Sequence, residues 1–534
     1  MRYGVVAKLK RIEIKDASMD PNSGHPRRWG ILGVLVFSLL AVVLDNTILN
    51  VAMRTIADKT VGLGATQGEL EWAINSYTLV FAGLLFTFGV IGDRTGRKRM
   101  LFIGMALFGL ASLASAYSQD PMQLILARAA MGIGGAAIMP ATLAIISNIF
   151  PPSERGKAIG VWAGGVGLAV AIGPITGGLL IEHFWWGSVF LINVPIVLVS
   201  MVLIATVVPE SRDPKPSKLD PVGVVLSIIG LVSIVYGIIR GGTLATVASA
   251  EVLVPTLFGV AVLGAFVWWE RRIDHPVFDV RNFRNVRFSS AIGMMGIVFF
   301  AMMGGMFFLT FYLQVVLGFS PLQAGALMIP FAAAQLIFAP LSQRVNERFG
   351  AKLSATVSMI VVTAALGSYA FMDQNTPVVL IEIIFFVQGA AMANIMPPAT
   401  TAIMESLPRE KAGVGSAMSN TVRQVAGALG VAVLGSVLSS SYRGEMASTL
   451  AWLPPDARHA AGESVVATVG IAQELGERGQ ALIQPAFTAF IHGMHVTALV
   501  SAVIGLIGVV VVARWMPGKP RPVTQAEHKE PAVV

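Results

Sequence analysis

Between Trp29 and Trp515 the chain returns repeatedly to one pattern, a run of about twenty mostly apolar residues closed by a short polar break. That length matters because ~20 residues rising ~1.5 Å each cross a hydrocarbon layer of ~30 Å. Only 13% of the residues are charged and 55% are hydrophobic, whereas a soluble domain carries about 25% charged residues. A soluble chain of this length would also divide into domains with polar surfaces between them. Lipid is therefore the solvent that the apolar runs require. The pattern predicts fourteen crossing helices, near 30–52, 71–92, 99–118, 121–147, 156–181, 186–208, 220–240, 252–270, 288–313, 320–342, 351–372, 377–403, 412–438 and 486–515.

The formal net charge is +8, yet the basic residues sit in short clusters between the runs, not along one amphipathic face. They read as topology signals, and a nucleic-acid partner is not expected. Outside the predicted spans, the side shared with the N-terminus holds about 30 Lys and Arg and the opposite side about 6, so both termini are expected in the cytoplasm of a cell membrane crossed many times. An even number of helices follows. The first 28 residues, with Lys8, Lys10, Arg11, Lys15, Arg27 and Arg28 and no apolar core, read as a cytoplasmic arm and not as a cleaved signal peptide. There is no cysteine, which excludes disulfides, thiol catalysis and thiolate metal sites. No His-Glu-x-x-His, Gly-x-Ser-x-Gly or phosphate-loop pattern is present either. No metal, cofactor or nucleotide is expected, and a membrane-embedded lipid-acting enzyme stays a remote alternative.

The chain also repeats itself. Pro140-Ala141-Thr142-Leu143-Ala144-Ile145 recurs as Pro398-Ala399-Thr400-Thr401-Ala402-Ile403, each after a run of small residues. Asp93-Arg94-Thr95-Gly96-Arg97-Lys98 is echoed by Glu347-Arg348-Phe349-Gly350-Ala351-Lys352. Both matches skip the same two helices, the layout of two bundles related by a parallel repeat with a pair inserted between them. The expected organisation is an arm (1–29), a six-helix bundle (30–208), a linker holding the inserted pair (209–285), a second six-helix bundle (286–516) and a cytoplasmic tail (517–534). The second bundle includes an external loop (440–485), with room for a short helix near Val465 to Leu475.

Several ordered motifs carry a resemblance. Gly89 to Lys98 spells Gly-x-x-x-Asp-Arg-x-Gly-Arg-Lys, and Leu44 to Ala52 reads LDNTILNVA. Arg128 precedes Gly132 and Gly134, Gly173 to Gly178 reads GPITGG, Trp186 to Pro195 reads WGSVFLINVP and Asn420 to Gly430 reads NTVRQVAGALG. In this order they resemble the major facilitator superfamily, in its fourteen-span drug:proton antiporter branch. The chain departs from that pattern at Arg54, where the branch usually has proline, and at Ala169, where it usually has glycine. The resemblance implies an all-α integral membrane protein, two six-helix bundles related by pseudo-twofold symmetry plus two inserted helices, 14 transmembrane helices in all. It implies a monomer that exports small amphipathic compounds, such as drugs, in exchange for protons by alternating access. Export of an endogenous lipid or metabolite is the alternative.

Individual residues take roles on that basis. Asp45 and Arg128 are charges inside apolar helices, where each costs several kcal/mol unless paired, hydrated or neutralised. Each lies seven residues from the predicted distal end of its span, ~10 Å deep, so the two can share one cavity. The resemblance assigns them proton coupling; a static structural pair is the alternative. Gly89, Asp93, Arg94, Gly96, Arg97 and Lys98 form the tight connection between spans two and three. There Asp93 can latch onto the positive N-terminus of the helix starting near Ala412, while Arg97 and Lys98 also serve as membrane anchors. Gly173, Pro174, Gly177 and Gly178 permit close helix approach and a kink, and the resemblance ties them to exporters. Candidates for a mostly apolar cargo cavity with a few polar groups are Asn46, Asn75, Tyr77, Tyr312, Gln314, Glu382, Gln388, Arg423 and Gln424.

Overall fold

A computed structural model describes residues 24–516, apart from 213–218, 245, 247, 275, 277–279 and 407–411. Among the described residues there is no strand, and fourteen long helices carry the fold. Thirteen have the length and apolar composition to cross a bilayer: α1 (Arg28–Ala57), α2 (Gln67–Thr95), α3 (Arg97–Ala116), α4 (Pro121–Ile149), α6 (Ser188–Val207), α7 (Pro221–Leu244), α8 (Ala250–Arg272), α9 (Val286–Val316), α10, α11 (Ala351–Phe371), α12 (Val378–Glu405), α13 (Ala412–Met446) and α16 (Glu477–Trp515). The fourteenth, α5 (Pro152–His183), has 32 residues and stands in the predicted fifth place. α10 runs as Pro321–Ala326 and, after a turn, as Ile329–Phe349. Two short helices, α14 (Pro455–Glu463) and α15 (Val465–Glu474), precede α16.

Packing follows the repeat. In the first six, α4 packs on α2 and α3, α1 on α5 and α6, and α3 on α6. Eight places along the series of fourteen long helices, in which α16 is the last, the same pairs recur: α12 on α10 and α11, α9 on α13 and α16, and α11 on α16. Local signals repeat as well. α2 opens with a capping box in which Thr66 Oγ1 accepts from Glu69 N (3.3 Å) and Glu69 accepts from Thr66 N (2.8 Å). α10 opens the same way with Ser320 and Gln323, at 3.2 and 2.9 Å. Both helices end on a glycine at positive φ, Gly96 (122°) and Gly350 (84°), where the chain turns straight into the next span.

The halves meet along two seams, α2 with α13 and α5 with α10, which the repeat interchanges. Between them α1 touches α9. Of the inserted pair, α7 packs on α8, α2 and α13 and so widens one seam. α8 is peripheral, with only 11% of its apolar window buried, which leaves its remainder for lipid.

Hydropathy underestimates several helices. α1 continues to Ala57, α13 to Met446, and α16 starts at Glu477, so the loop expected at 440–485 narrows to 447–476 and holds two short helices instead of one. Helical turns that project beyond the hydrocarbon carry polar residues at no cost, and a hydropathy count misses them. With fourteen crossings, residues 24 and 516 share one face, called terminal below; loops 58–66, 317–320 and 447–476 share the other, the distal face.

Candidate functional site

The two intramembrane charges expected to meet do so. Arg128 Nη1 on α4 pairs with Asp45 Oδ2 on α1, and each side chain is 1% exposed. Asn193 on α6 donates from Nδ2 to the other carboxylate oxygen at 3.4 Å and to Ser112 Oγ on α3 at 3.1 Å. The guanidinium is held from the other side, Nε donating to Ala73 O at 3.1 Å while its carbon stands 4.5 Å from the centre of the Tyr77 ring, both on α2. Asn46 donates to Tyr77 Oη at 3.2 Å. Five of the six helices of the first half therefore contribute to one buried ion pair, which satisfies the condition under which charges survive in a low-dielectric interior. The depth argument needs correcting: Asp45 lies twelve residues before Ala57, ~18 Å along α1, because the helix is longer than its apolar core. The pair is also enclosed within the first half, and it is the opposite face of α1 that meets the second half.

That face lines a small cavity of about 20 Å³, room for about one water, between Thr47, Asn50 and Val51 of α1, Pro174 of α5, Thr310, Leu313 and Gln314 of α9, and Ala324 and Met328 of α10. On its distal side the halves close. Arg54 donates to the backbone carbonyl of Gln314, and Gln314 Nε2 donates back to Val51 O at 3.0 Å. The α5 motif closes the neighbouring seam: Gly178 lies so near α10 that a Cβ there would stand 2.7 Å from Leu322 N, and Gly325 of α10 is pressed on the Pro174 carbonyl. Gly173 and Gly177 meet Thr47 and Ile48 of α1. The motif thus joins α5 to both α1 and the opposite half.

At the terminal face, Asp93 pairs with Arg97 at 2.7 Å, and Arg97 also donates to Ala144 O of α4 at 3.4 Å. Gly89 packs against Pro140, Arg94 is exposed, and Lys98 Nζ donates to Ala205 O of α6 at 2.8 Å. Residues 407–411, which precede α13, lie outside the described residues; α13 itself begins at Ala412, and the ion pair that Asp93 makes is the one with Arg97. Glu210, which sequence reasoning passed over, accepts from the backbone N–H groups of Lys98 (3.1 Å) and Arg99 (3.2 Å), so its carboxylate caps the N-terminus of α3. Gly96 packs against that carboxylate at φ 122°, a backbone conformation that favours glycine.

The remaining candidates scatter. Asn75 is fully buried in α2 with neither amide atom hydrogen-bonded among the described residues. Arg423 bonds Asn420 on its own helix and stands 5.3 Å from the centre of the Phe299 ring, and Gln424 beside it is half-buried. Tyr312 donates to Asp373 O at 2.7 Å, and Gln388 accepts from Tyr369 Oη at 2.7 Å; both bonds stay within the second half. Glu382 is half-buried, between the buried Ile381 and the exposed Ile383. Two more polar groups went unpredicted. Asn193 was visible as a lone amide in the apolar run of α6. Glu71, 2% exposed on α2, faces α13 at Gly435, and its signal was an acid at the edge of an apolar run.

Known proteins are similar in sequence to this chain along nearly its whole length. The chain is 34% identical over 491 residues to the multidrug efflux pump LfrA of Mycolicibacterium smegmatis, covering 91% of this chain and 96% of that one. It is 35% identical over 481 residues to the methyl viologen resistance protein SmvA of Salmonella typhimurium, covering 89% and 95%. With the tetracenomycin C resistance and export protein of Streptomyces glaucescens it shares 31% identity over 529 residues, 96% of each chain. Its fold matches the crystal structure of a bacterial homolog of the human lysosomal transporter Spinster at 19% identity and a TM-score of 0.64, over 92% of this chain and 99% of that one. Residues 35–431 match the model of the Major Facilitator Superfamily. With that match, the repeated six-helix packing and the ordered motifs, the chain belongs to the major facilitator superfamily.

Proposed function

We propose that this protein is a proton-coupled secondary transporter that exports amphipathic, drug-like compounds across the cytoplasmic membrane. One observation carries the coupling: an acid and an arginine buried as a pair among five helices of one half. A carboxylate that can exchange its arginine partner for a proton gives α1 two electrostatic states, and α1 is also the helix whose other face meets the second half. The two halves, 30–208 and 286–516, rock about the seam to expose it alternately at either face, with 209–285 as the bridging pair. The excess of basic residues on the terminal side supports cytoplasmic termini, which makes the distal face external.

Export is supported by the Gly173–Gly178 motif, which the resemblance ties to exporters, and by the relatives' names as efflux and resistance proteins, which also support drug-like cargo. The reading needs no cofactor and no nucleotide, assigns no enzymatic step, and takes a monomer as the working unit. Reconstitution in liposomes tests it. An imposed proton gradient drives movement of a lipophilic cation, and Asp45→Asn abolishes the dependence on the gradient; transport that stays gradient-driven in Asp45→Asn removes Asp45 from the mechanism.

A further inference from the structure

Arg54 is unassigned by any motif; it occupies the position where the resembling branch usually has proline. It is the last cation of α1, and its reach is across the molecule: its guanidinium donates to the main-chain carbonyl of Gln314, in the half beginning at α9. The acceptor lies in the π-helical last turn of that helix, Tyr312–Val316, where the ordinary i to i+4 ladder is broken. Gln314 returns a bond to Val51 O, one turn before Arg54 on α1. Two reciprocal hydrogen bonds thus tie repeat-related helices of opposite halves. Val51 and Gln314 themselves line the small cavity, toward its distal side, and the contact of Gly178 with Leu322 closes the α5–α10 seam whose Pro174 and Ala324 also line it.

The same helix carries the ion pair. Asp45 and Arg54 are nine residues apart, two and a half turns at 3.6 residues per turn, which puts them on opposite faces of α1. Asp45 points into the first half and Arg54 out toward the second, as their contacts confirm. Any tilt or rotation of α1 that follows a change of partner at Asp45 must displace Arg54 as well, because α1 is one continuous helix from Arg28 to Ala57.

We propose that Arg54 is a positioning residue of the transport cycle, a clasp that holds the external gate shut through Gln314 and is worked by α1 from the Asp45–Arg128 pair. The proposal deepens the transport reading and rests on it. Breaking a hydrogen bond to a charged donor changes an open–closed equilibrium about tenfold or more. Parting of the halves requires loss of both bonds, so a weakened clasp raises the population in which the cavity is open to the outside.

The absence of cysteine allows a direct test. Thr310→Cys, in the cavity wall beneath the clasp, is the single thiol in a reconstituted full-length chain with its distal face outward. Its reaction with a membrane-impermeant maleimide reports external opening. Arg54→Ala should speed labelling about tenfold or more. Arg54→Lys should restore most of the slow rate, since an ammonium can donate to the same carbonyl. Gln314→Ala, which removes only the return bond, should give a smaller rise. Labelling within twofold of the parent in both Arg54→Ala and Gln314→Ala overturns the clasp, and Gln314→Ala decides alone if Arg54→Ala does not fold. Asp45→Asn should change the rate when Arg54 is present and lose most of that effect in Arg54→Ala; an equal effect in both backgrounds overturns the control by α1. Labelling needs neither cargo nor a proton gradient, so a failed clasp and a failed transport reading are distinguishable.

Discussion

Neutralising the buried pair one member at a time, and then both together, separates structure from coupling. In Asp45→Asn the guanidinium of Arg128, 1% exposed, keeps Ala73 O at 3.1 Å and the Tyr77 ring at 4.5 Å but loses its counter-ion. Arginine cannot shed its proton, so the charge stays uncompensated, and breaking such a pair costs about 3–5 kcal/mol. The two remaining contacts keep the loss near the lower figure. In Arg128→Gln the carboxylate retains Asn193, 3.4 Å away, and the loss is of similar size. The double variant removes both charges and leaves two amides able to bond one another, so it should recover a coupling of ~2 kcal/mol or more relative to the sum of the singles. Denaturant unfolding in detergent, followed by tryptophan fluorescence, measures the cycle, and proton-driven transport is measured in parallel. We expect stability to return in the double variant while gradient-driven transport stays lost. Additive stabilities would show that the pair is not an interacting unit, and recovery of both stability and transport would show that it is merely structural.

Two further outcomes follow from the geometry. Gly178→Ala places a methyl group within 2.7 Å of Leu322 N, so the seam cannot close fully; external labelling of Thr310→Cys should rise and net export fall, and a variant that labels and exports like the parent would refute the seal. Glu210→Ala removes the acceptor for two N–H groups at the start of α3, a lost cap of about 0.5–2 kcal/mol, and Glu210→Gln should restore part of the lost stability in the same unfolding assay.

Apolar length and repeat made the fold legible. Fourteen spans, the inserted pair and the partnership of the two halves all follow from where hydrocarbon-length runs begin and which blocks recur. Helix ends were less legible, because α13 and α16 continue past their apolar cores in polar turns and α1 continues through Arg54 and Thr55. The capping boxes at Thr66 and Ser320 are sequence signals of the same repeat, seen clearly once α2 and α10 stand in equivalent places. Asp45 and Arg128 stood out because an isolated charge in an apolar helix is costly, so each points to a partner.

What the chain alone determined, then, is that it crosses a bilayer fourteen times as a doubled six-helix unit and must pair two buried charges, since these are consequences of composition and periodicity. Only the tertiary structure decided which way each side chain faces. Asn193 and Ser112 complete the ion-pair site, Tyr312 and Gln388 bond within their own half, and Arg54 reaches Gln314 in the opposite one. The reason is geometric: a helix surrounded by lipid and protein is apolar nearly all round, so its periodicity cannot say which face meets lipid, which its own bundle and which the moving seam.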